Sequence, residues 1–327
     1  MNSLRDDAGM RRPVGASLLA VLRERRRSGS LPGQRGDGHR IALAIEGGGS
    51  RAAYSAGMAL AIDEAGLTDA FDDVYGTSGG ALNGAWLLTG EARRWIRSWA
   101  WPEVAAARVT DPRRILRGGP VVDLGRLVHH VYEEITPMDF DAIVANPIGF
   151  HPIATDAATG AAADLASYVT DRIGAQTALR ASSCIPLLAG RPVRLGGRTY
   201  VDGGLSEGVP YRTALAQGAT HVLVLRTRRA DQRAVPPSRV ERMLLAPYFL
   251  RHGRAAGAAH IGRHRTYAED DLQLAAGTTA DVPTLVEVRP PLGSPDVTRL
   301  SGDLGVIDDA IERGRGAMAA FLDGPSG

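Results

Sequence analysis

Apolar runs and helical periodicities take turns along this chain. Short apolar runs that fit strands fall at 41–46, 73–75, 148–154, 199–201, 221–226 and 284–288. Between them, apolar residues recurring every three to four positions predict helices over 52–65, 81–99, 124–134, 165–181, 211–217, 239–260 and 304–322. This alternation argues for α/β layers around a largely parallel sheet. Pro236-Pro237 and Pro290-Pro291 punctuate the last third. No internal repeat or long low-complexity segment interrupts the pattern.

Chemistry enters at the second run. The segment Asp73-Val74-Tyr75-Gly76-Thr77-Ser78-Gly79-Gly80 contains Gly-x-Ser-x-Gly between a strand-like run and a helix-like one. A serine on a tight strand-to-helix turn is pushed outward, and small flanking residues let the backbone turn. The following helix points its positive end at the hydroxyl. A Gly-rich turn with an incidental serine would read the same way, so the neighbouring motifs matter.

Upstream, the first apolar run ends in Gly47-Gly48-Gly49-Ser50-Arg51 before a helical pattern. Consecutive glycines let backbone N–H groups converge on an anion, with Arg51 supplying a fixed charge. The loop suits a phosphate or the oxyanion of acyl transfer; a plain βα turn is the simpler alternative. A P-loop is excluded, because no Gly-Lys-Ser/Thr follows and the chain has no lysine. A dinucleotide fingerprint fits poorly, since its last glycine would fall on Ala52. Downstream, Tyr200-Val201-Asp202-Gly203-Gly204 ends a β-prone run. It reads either as a hairpin turn or as a strand-end carboxylate placed to meet a nucleophile.

Together these segments resemble the patatin-like phospholipases. Gly47-Gly48-Gly49-Ser50-Arg51-Ala52 is similar to that family's Gly-Gly-Gly-x-Arg-Gly oxyanion motif, with Ala52 in place of the final glycine. Gly76-Thr77-Ser78-Gly79-Gly80 is similar to its nucleophile elbow, and Asp202-Gly203-Gly204 to its acid motif. The linking segments 154–160 and 178–186 also resemble the family, and the likeness runs over about residues 40 to 325. It implies a three-layer α/β/α fold with a largely parallel central sheet. It also implies a serine lipid acyl hydrolase working through a Ser78–Asp202 dyad and an acyl-enzyme. Gly47, Gly48, Gly49, Ser50 and Arg51 would form the oxyanion loop. Gly76, Thr77, Gly79 and Gly80 would shape the elbow, and Gly203 and Gly204 the acid-motif loop. The expected partner is a lipid or acyl-ester substrate. An esterase or thioesterase for soluble acyl substrates, and a lipid-binding protein without turnover, are the alternatives.

A Ser-acid-His triad would need a histidine after Asp202. His221 opens an apolar run and reads as a strand start. His252, His260 and His264 lie in an Arg-rich helical region and read as solvated. The dyad is therefore preferred. Cys184 is the only cysteine and is expected to be a buried small residue rather than a nucleophile. It allows no internal disulfide, which fits a reducing, cytoplasmic setting. No zinc-type Cys/His cluster or dense calcium loop is present in the sequence, so neither metal nor cofactor is expected. Asp72-Asp73 and Glu133-Glu134 read as exposed pairs at element ends.

Apolar content of 44% suits a globular chain, and a net charge of +2 argues against a bulk nucleic-acid binder. The charge is uneven. Residues 1–39 read as an Arg-rich tail with one helix near 16–27, ahead of a hydrolase domain over 40–327. The tail is expected to be a solvated arm, with Leu18, Leu19 and Leu22 offering a peripheral contact to an anionic membrane surface. Its apolar stretch is short and precedes Arg23 to Arg27, unlike a secretory signal. No run approaches the ~18 apolar residues of a spanning helix.

Overall fold

Ile41 to Ile45 are apolar at every position, and all five are buried. A strand apolar on both faces belongs inside a sheet covered on both sides. The computed structural model describes residues 17–276 and 284–324 and places this strand there. The strands are β1 (Ile41–Ile45), β2 (Asp73–Thr77), β3 (Gly149–Asp156), β4 (Ala162–Asp164), β5 (Val193–Leu195), β6 (Arg198–Asp202), β7 (His221–Leu225) and β8 (Thr284–Val288). They form one sheet in the order β5-β6-β3-β2-β1-β7-β8, with β4 added on β3. The run from β3 through β2, β1 and β7 to β8 is parallel, while β4, β5 and β6 pair antiparallel.

The main helices are α1 (Leu18–Ser28), α2 (Ala52–Glu64), α3 (Gly79–Leu88), α4 (Arg172–Ser182), α5 (Tyr211–Ala216), α6 (Arg239–His252), α7 (Arg254–Ala276) and α8 (Leu304–Leu322). Because strand side chains alternate between faces, β1 feeds two cores. Ile41, Leu43 and Ile45 join Met58 and Ile62 of α2 and Leu82 and Trp86 of α3. Ala42 and Ala44 join Tyr211 of α5 and Tyr267 of α7 on the other face. The result is a three-layer α/β/α fold. Helices α2 and α8 cross at two glycines: a Cβ on Gly57 would strike the Ile311 carbonyl, and one on Gly314 the Tyr54 carbonyl. That crossing fixes the helix leaving the Gly-rich loop.

Several expectations change. The predicted helix over 81–99 stops at Leu88, because Gly90 turns the chain at φ 73°; short helical pieces Ala92–Trp95 and Ile96–Ala100 follow. The one over 165–181 begins later, where the Asp171 side chain accepts the Gly174 N–H at 2.7 Å. The one over 239–260 breaks at Gly253 into α6 and α7. The one over 124–134 is present, wound as a π-helix over Leu127–Ile135. Strands β4 and β5 were not predicted; each has three residues and is no more than half-buried.

The solvated arm is corrected for residues 17–39. Leu18, Val21 and Leu22 of α1 enter the main core. Arg25 is buried and bonds Asp37, Asp72 and the Ala70 and His39 carbonyls. With Leu18 and Leu22 covered, this helix does not present the apolar face proposed for a membrane. Residues 1–16 lie outside the described residues. Asp72 and Asp73 are likewise not an exposed pair: Asp72 takes Arg25 and Arg35, and buried Asp73 takes Arg40. Among the described residues, no helix is long and apolar enough to cross a membrane.

Candidate active site

Strand β2 delivers Ser78 to the carboxyl edge of the sheet, and α3 begins immediately after it. The turn between them holds Ser78 at φ 55° and ψ −126°. A non-glycine residue in this region carries about 1–3 kcal/mol of strain, so its surroundings must impose it. They do so through close packing. A Cβ on Gly80 would run into the Ile45 carbonyl, and one on Gly76 would meet the Ala81 backbone. Thr77 is anchored by its hydroxyl, which donates to the Glu207 carbonyl at 2.8 Å. The Ser78 N–H donates to Ser182 Oγ at 2.9 Å, and Ser182 Oγ donates to the Ile153 carbonyl at 2.6 Å.

The structure brings Ser78 and Asp202 together. Ser78 Oγ donates to Asp202 Oδ2 at 2.7 Å, and the Gly204 N–H donates to the other oxygen at 2.8 Å. Asp202 sits at the end of β6, opposite Ala154 of β3. Its N–H donates to the Cys184 carbonyl at 2.8 Å, and Thr155 Oγ1 donates to its carbonyl at 2.8 Å. Gly203 and Gly204 open a short 3-10 turn behind it. Burial pushes the Asp202 carboxyl above its ordinary value; the Ser78 hydroxyl, the Gly204 N–H and the charges of Arg299 and Arg263 pull the other way without cancelling it. Cys184 is buried, and burial drives its thiol up to about 12, so its backbone rather than its sulfur serves the site.

The Gly-rich loop lies beside Ser78. A Cβ on Gly47 would stand 3.2 Å from that of Ser78. The loop rests on a buried ion pair: Arg226 Nε donates to Glu46 Oε2 at 2.9 Å, and the Thr227 N–H donates to the same oxygen at 2.8 Å. Its five N–H groups are not equivalent. Gly47 donates to the Gly208 carbonyl, Ser50 to that of Arg299 and Arg51 to that of Gly48. The Ser50 N–H is thus already engaged within the protein. Among the described residues, the N–H groups of Gly48 and Gly49 have no acceptor. Ala52 has φ −61°, so the expected glycine is not needed for its conformation.

The histidines divide. His221 starts β7 as expected. His260 is corrected: it is buried, not solvated, and lines the cleft containing Ser78 and Asp202. Burial, with Arg263 nearby, pushes its pKa down to about 4. Its Nε2 lies 3.3 Å from Glu241, without hydrogen-bond alignment. Among the described residues, no histidine bonds Ser78 or Asp202.

Two cavities meet at Ser78. One, about 390 Å³, is lined by the Gly-rich loop, Asp202 and the arginines Arg51, Arg263 and Arg299. The other, about 340 Å³, has Leu82, Trp99, Val104, Leu124 and Ile307 in its wall; both cavities are mainly apolar and Arg299 lines both. Sequence reasoning missed Ser182, Arg263 and Arg299. Ser182 falls in the segment 178–186 that resembles the family, though without a role of its own; nothing in their local context separates the two arginines from the others of the chain.

This three-layer fold brings the serine, the carboxylate and the Gly-rich loop together. A family model described as patatin-like phospholipase matches residues 43–215, and the chain belongs to that family. It is 32% identical over 249 residues to the uncharacterized protein YjjU of Escherichia coli (strain K12). That match takes in 72% of this chain and 63% of YjjU, so the chain spans less than two thirds of its relative's length. The crystal structure of VipD from Legionella pneumophila is similar at a TM-score of 0.41 and 12% identity, over 87% of this chain and 67% of VipD.

Proposed function

We propose that this chain hydrolyses carboxylic esters of lipids through Ser78 and Asp202 alone, by way of an acyl-enzyme. The direct 2.7 Å contact between the serine hydroxyl and a buried carboxylate carries the reading. A carboxylate is a weak base in water; burial raises its proton affinity toward what deprotonating a serine demands. As Ser78 Oγ attacks the ester carbonyl, Asp202 takes the hydroxyl proton. The new Oγ–C bond forms and the carbonyl electron pair moves onto oxygen. The free N–H groups of Gly48 and Gly49 are available to that oxyanion, each donor contributing about 3–4 kcal/mol. The C–O bond then breaks, and the alcohol leaves with the proton from Asp202. Water attacks the acyl-enzyme, passing a proton to Asp202; the acid departs and Ser78 recovers its hydrogen.

The two cavities support a lipid substrate. Both have mainly apolar walls; the one among Leu82, Trp99 and Val104 suits an acyl chain, and the one that carries Arg51 and Arg263 accommodates the alcohol part. The test is covalent labelling with a fluorophosphonate probe beside hydrolysis of p-nitrophenyl butyrate. Wild type should label and turn over. Ser78→Ala should lose both, and Asp202→Asn should lose turnover. An enzyme that keeps its turnover as Asp202→Asn but loses it as His260→Ala would replace the dyad with a triad. A wild type that neither labels nor hydrolyses would favour a lipid-binding role.

A further inference from the structure

Helix α6 is apolar on two sides, and the described residues cover only one of them. Its inner side packs Phe249, Leu245 and Tyr248 against Val201, Leu205 and Ala256. On its outer side Val240, Met243, Leu244, Pro247 and Leu250 recur at helical spacing. Pro247 is exposed, and the other four are large hydrophobic side chains between 60% and 68% exposed. A helix apolar all round belongs in an interior. The outer stripe therefore needs a cover from outside the described residues. Nor is it a loose end. The Ser238 hydroxyl caps α6 by accepting the Glu241 N–H at 3.0 Å. At the far end a Cβ on Gly253 would strike the Ala157 carbonyl, and one on Gly257 of α7 would meet the Phe249 side chain. These close approaches fix how α6 lies on the body.

Charge and position indicate what the cover is. Residues 239–268 hold six arginines and one carboxylate, Glu241. Arg263 pairs with that carboxylate at 3.2 Å. Arg239, Arg242, Arg251 and Arg254 are exposed beside the stripe and, among the described residues, make no ion pair. An apolar stripe edged by unpaired arginines suits the boundary between headgroups and acyl chains of an anionic bilayer. The stripe is also continuous with the catalytic cleft. Val240 and Leu244 line the cleft that holds Ser78, and so does Leu187, itself half exposed. A protein partner seated on the stripe would obstruct that mouth. A bilayer seated there would face it with lipid.

We propose that α6 is the face by which this protein docks on an anionic lipid bilayer. The stripe from Val240 to Leu250 enters the surface, the arginines meet the headgroups, and the mouth of the Ser78 cleft is set against the membrane. The purpose of docking rests on the hydrolase reading above, but docking itself is measured without turnover.

The experiment is co-sedimentation of the full chain, as wild type and as Ser78→Ala to exclude turnover, with two kinds of vesicle. One is phosphatidylcholine alone; the other is phosphatidylcholine and phosphatidylglycerol in a two-to-one ratio. Both proteins should bind the mixed vesicles about tenfold more strongly, and added salt should weaken that binding. Met243 and Leu250 lie outside the wall of the Ser78 cleft. The double variant Met243→Glu, Leu250→Glu should lose at least tenfold in vesicle binding, yet melt as wild type does and hydrolyse p-nitrophenyl butyrate within twofold of it. Arg242→Gln with Arg251→Gln should lose the preference for mixed vesicles, and the same pair changed to lysine should keep it. Wild type that binds neither vesicle would overturn the proposal, as would binding unchanged in the glutamate variant. Equal binding to both vesicles would overturn the anionic assignment. Analytical ultracentrifugation tests the rival occupant: a wild-type dimer that the glutamate variant dissociates would assign the stripe to a second copy of the chain. If docking behaves as expected but no ester is cleaved, the hydrolase reading fails and the docking face stands. If the butyrate is cleaved but no vesicle is bound, the docking face fails and the hydrolase reading stands.

Discussion

Ser182 holds Ser78 by its backbone: the Ser78 N–H donates to Ser182 Oγ at 2.9 Å, while that hydroxyl donates onward to the Ile153 carbonyl at 2.6 Å. One buried side chain therefore links the nucleophile's turn to β3. A residue strained at φ 55° needs such a clamp, because relaxing it would swing Oγ away from Asp202. Ser182→Ala leaves a buried N–H without its acceptor, at about 1–3 kcal/mol of stability. Loss of positioning should lower kcat on p-nitrophenyl butyrate by about tenfold, the equivalent of ~1.4 kcal/mol of barrier. KM should change little. A kcat equal to wild type in a protein with lowered Tm would reduce Ser182 to a purely structural role.

Asp202 ties activity and stability to pH in opposite directions. Burial raises its folded pKa above the unfolded value, so the native state holds the proton more readily than the unfolded chain. The ionised form therefore costs stability at neutral pH; the cost shrinks as pH falls through the raised folded value and is gone below the ordinary aspartate range. The base, however, must be ionised to act. The acid limb of the kcat/KM profile should lie above that ordinary range. Asp202→Asn should lose at least a thousandfold in turnover yet gain about 0.5–2 kcal/mol of stability at pH 7, the usual trade at a functional site. Thermal melts of both proteins at pH 5 and pH 7 check this; an asparagine variant less stable than wild type at pH 7 would contradict it.

How far the chain could be read from its sequence depends on what each residue's neighbours demand. The elbow was legible because Gly76 and Gly80 touch backbone, where no other side chain fits. The central strands were legible because burial on both faces leaves an unbroken apolar run, as in β1 and β7. The short edge strands β4 and β5 lack that pressure and left no pattern. Arg25 was misread as part of a solvated arm because its partners Asp37 and Asp72 become neighbours only on folding. Arg263 and Arg299 are two of 38 arginines, and only the fold brings them to Ser78. His260 was assigned to solvent for the same reason: its helix carries arginines, and the cleft it faces is assembled from distant segments.

At the other edge of the sheet, His151 offers a pH-dependent contribution to stability. Its ring stacks on Tyr75 and lies between Asp164 at 2.7 Å and Asp73 at 3.2 Å. Burial lowers its pKa, but the two carboxylates outweigh burial and raise it from 6.5 to about 9. A raised histidine stabilises the fold fully below pH ~6.5, and the contribution is lost as pH climbs through ~9. Wild-type Tm should fall by roughly 2–6 °C between pH 6.5 and 9.5 from this group. In His151→Gln that slope should flatten, since the replacement does not titrate. Parallel slopes for both proteins would assign the pH dependence elsewhere.

The cavity walled by Leu82, Trp99 and Ile307 should govern acyl-chain length. Val104 stands in its wall with Leu82, Trp99 and Ile307, and is only partly buried against the core. An aromatic ring there would occupy volume that a long chain needs while leaving the carbonyl position at Ser78 open. Each excluded methylene forfeits about 0.8 kcal/mol of burial, so two or three lost contacts amount to about fifteen- to sixtyfold. Val104→Phe should therefore lower kcat/KM for a p-nitrophenyl palmitate relative to the butyrate by roughly that factor. The ratio is the informative quantity, because a general loss of folded protein would scale both substrates alike. A ratio unchanged from wild type would place the acyl chain outside this cavity, and an increased one would mean that the ring extends the apolar wall instead of blocking it.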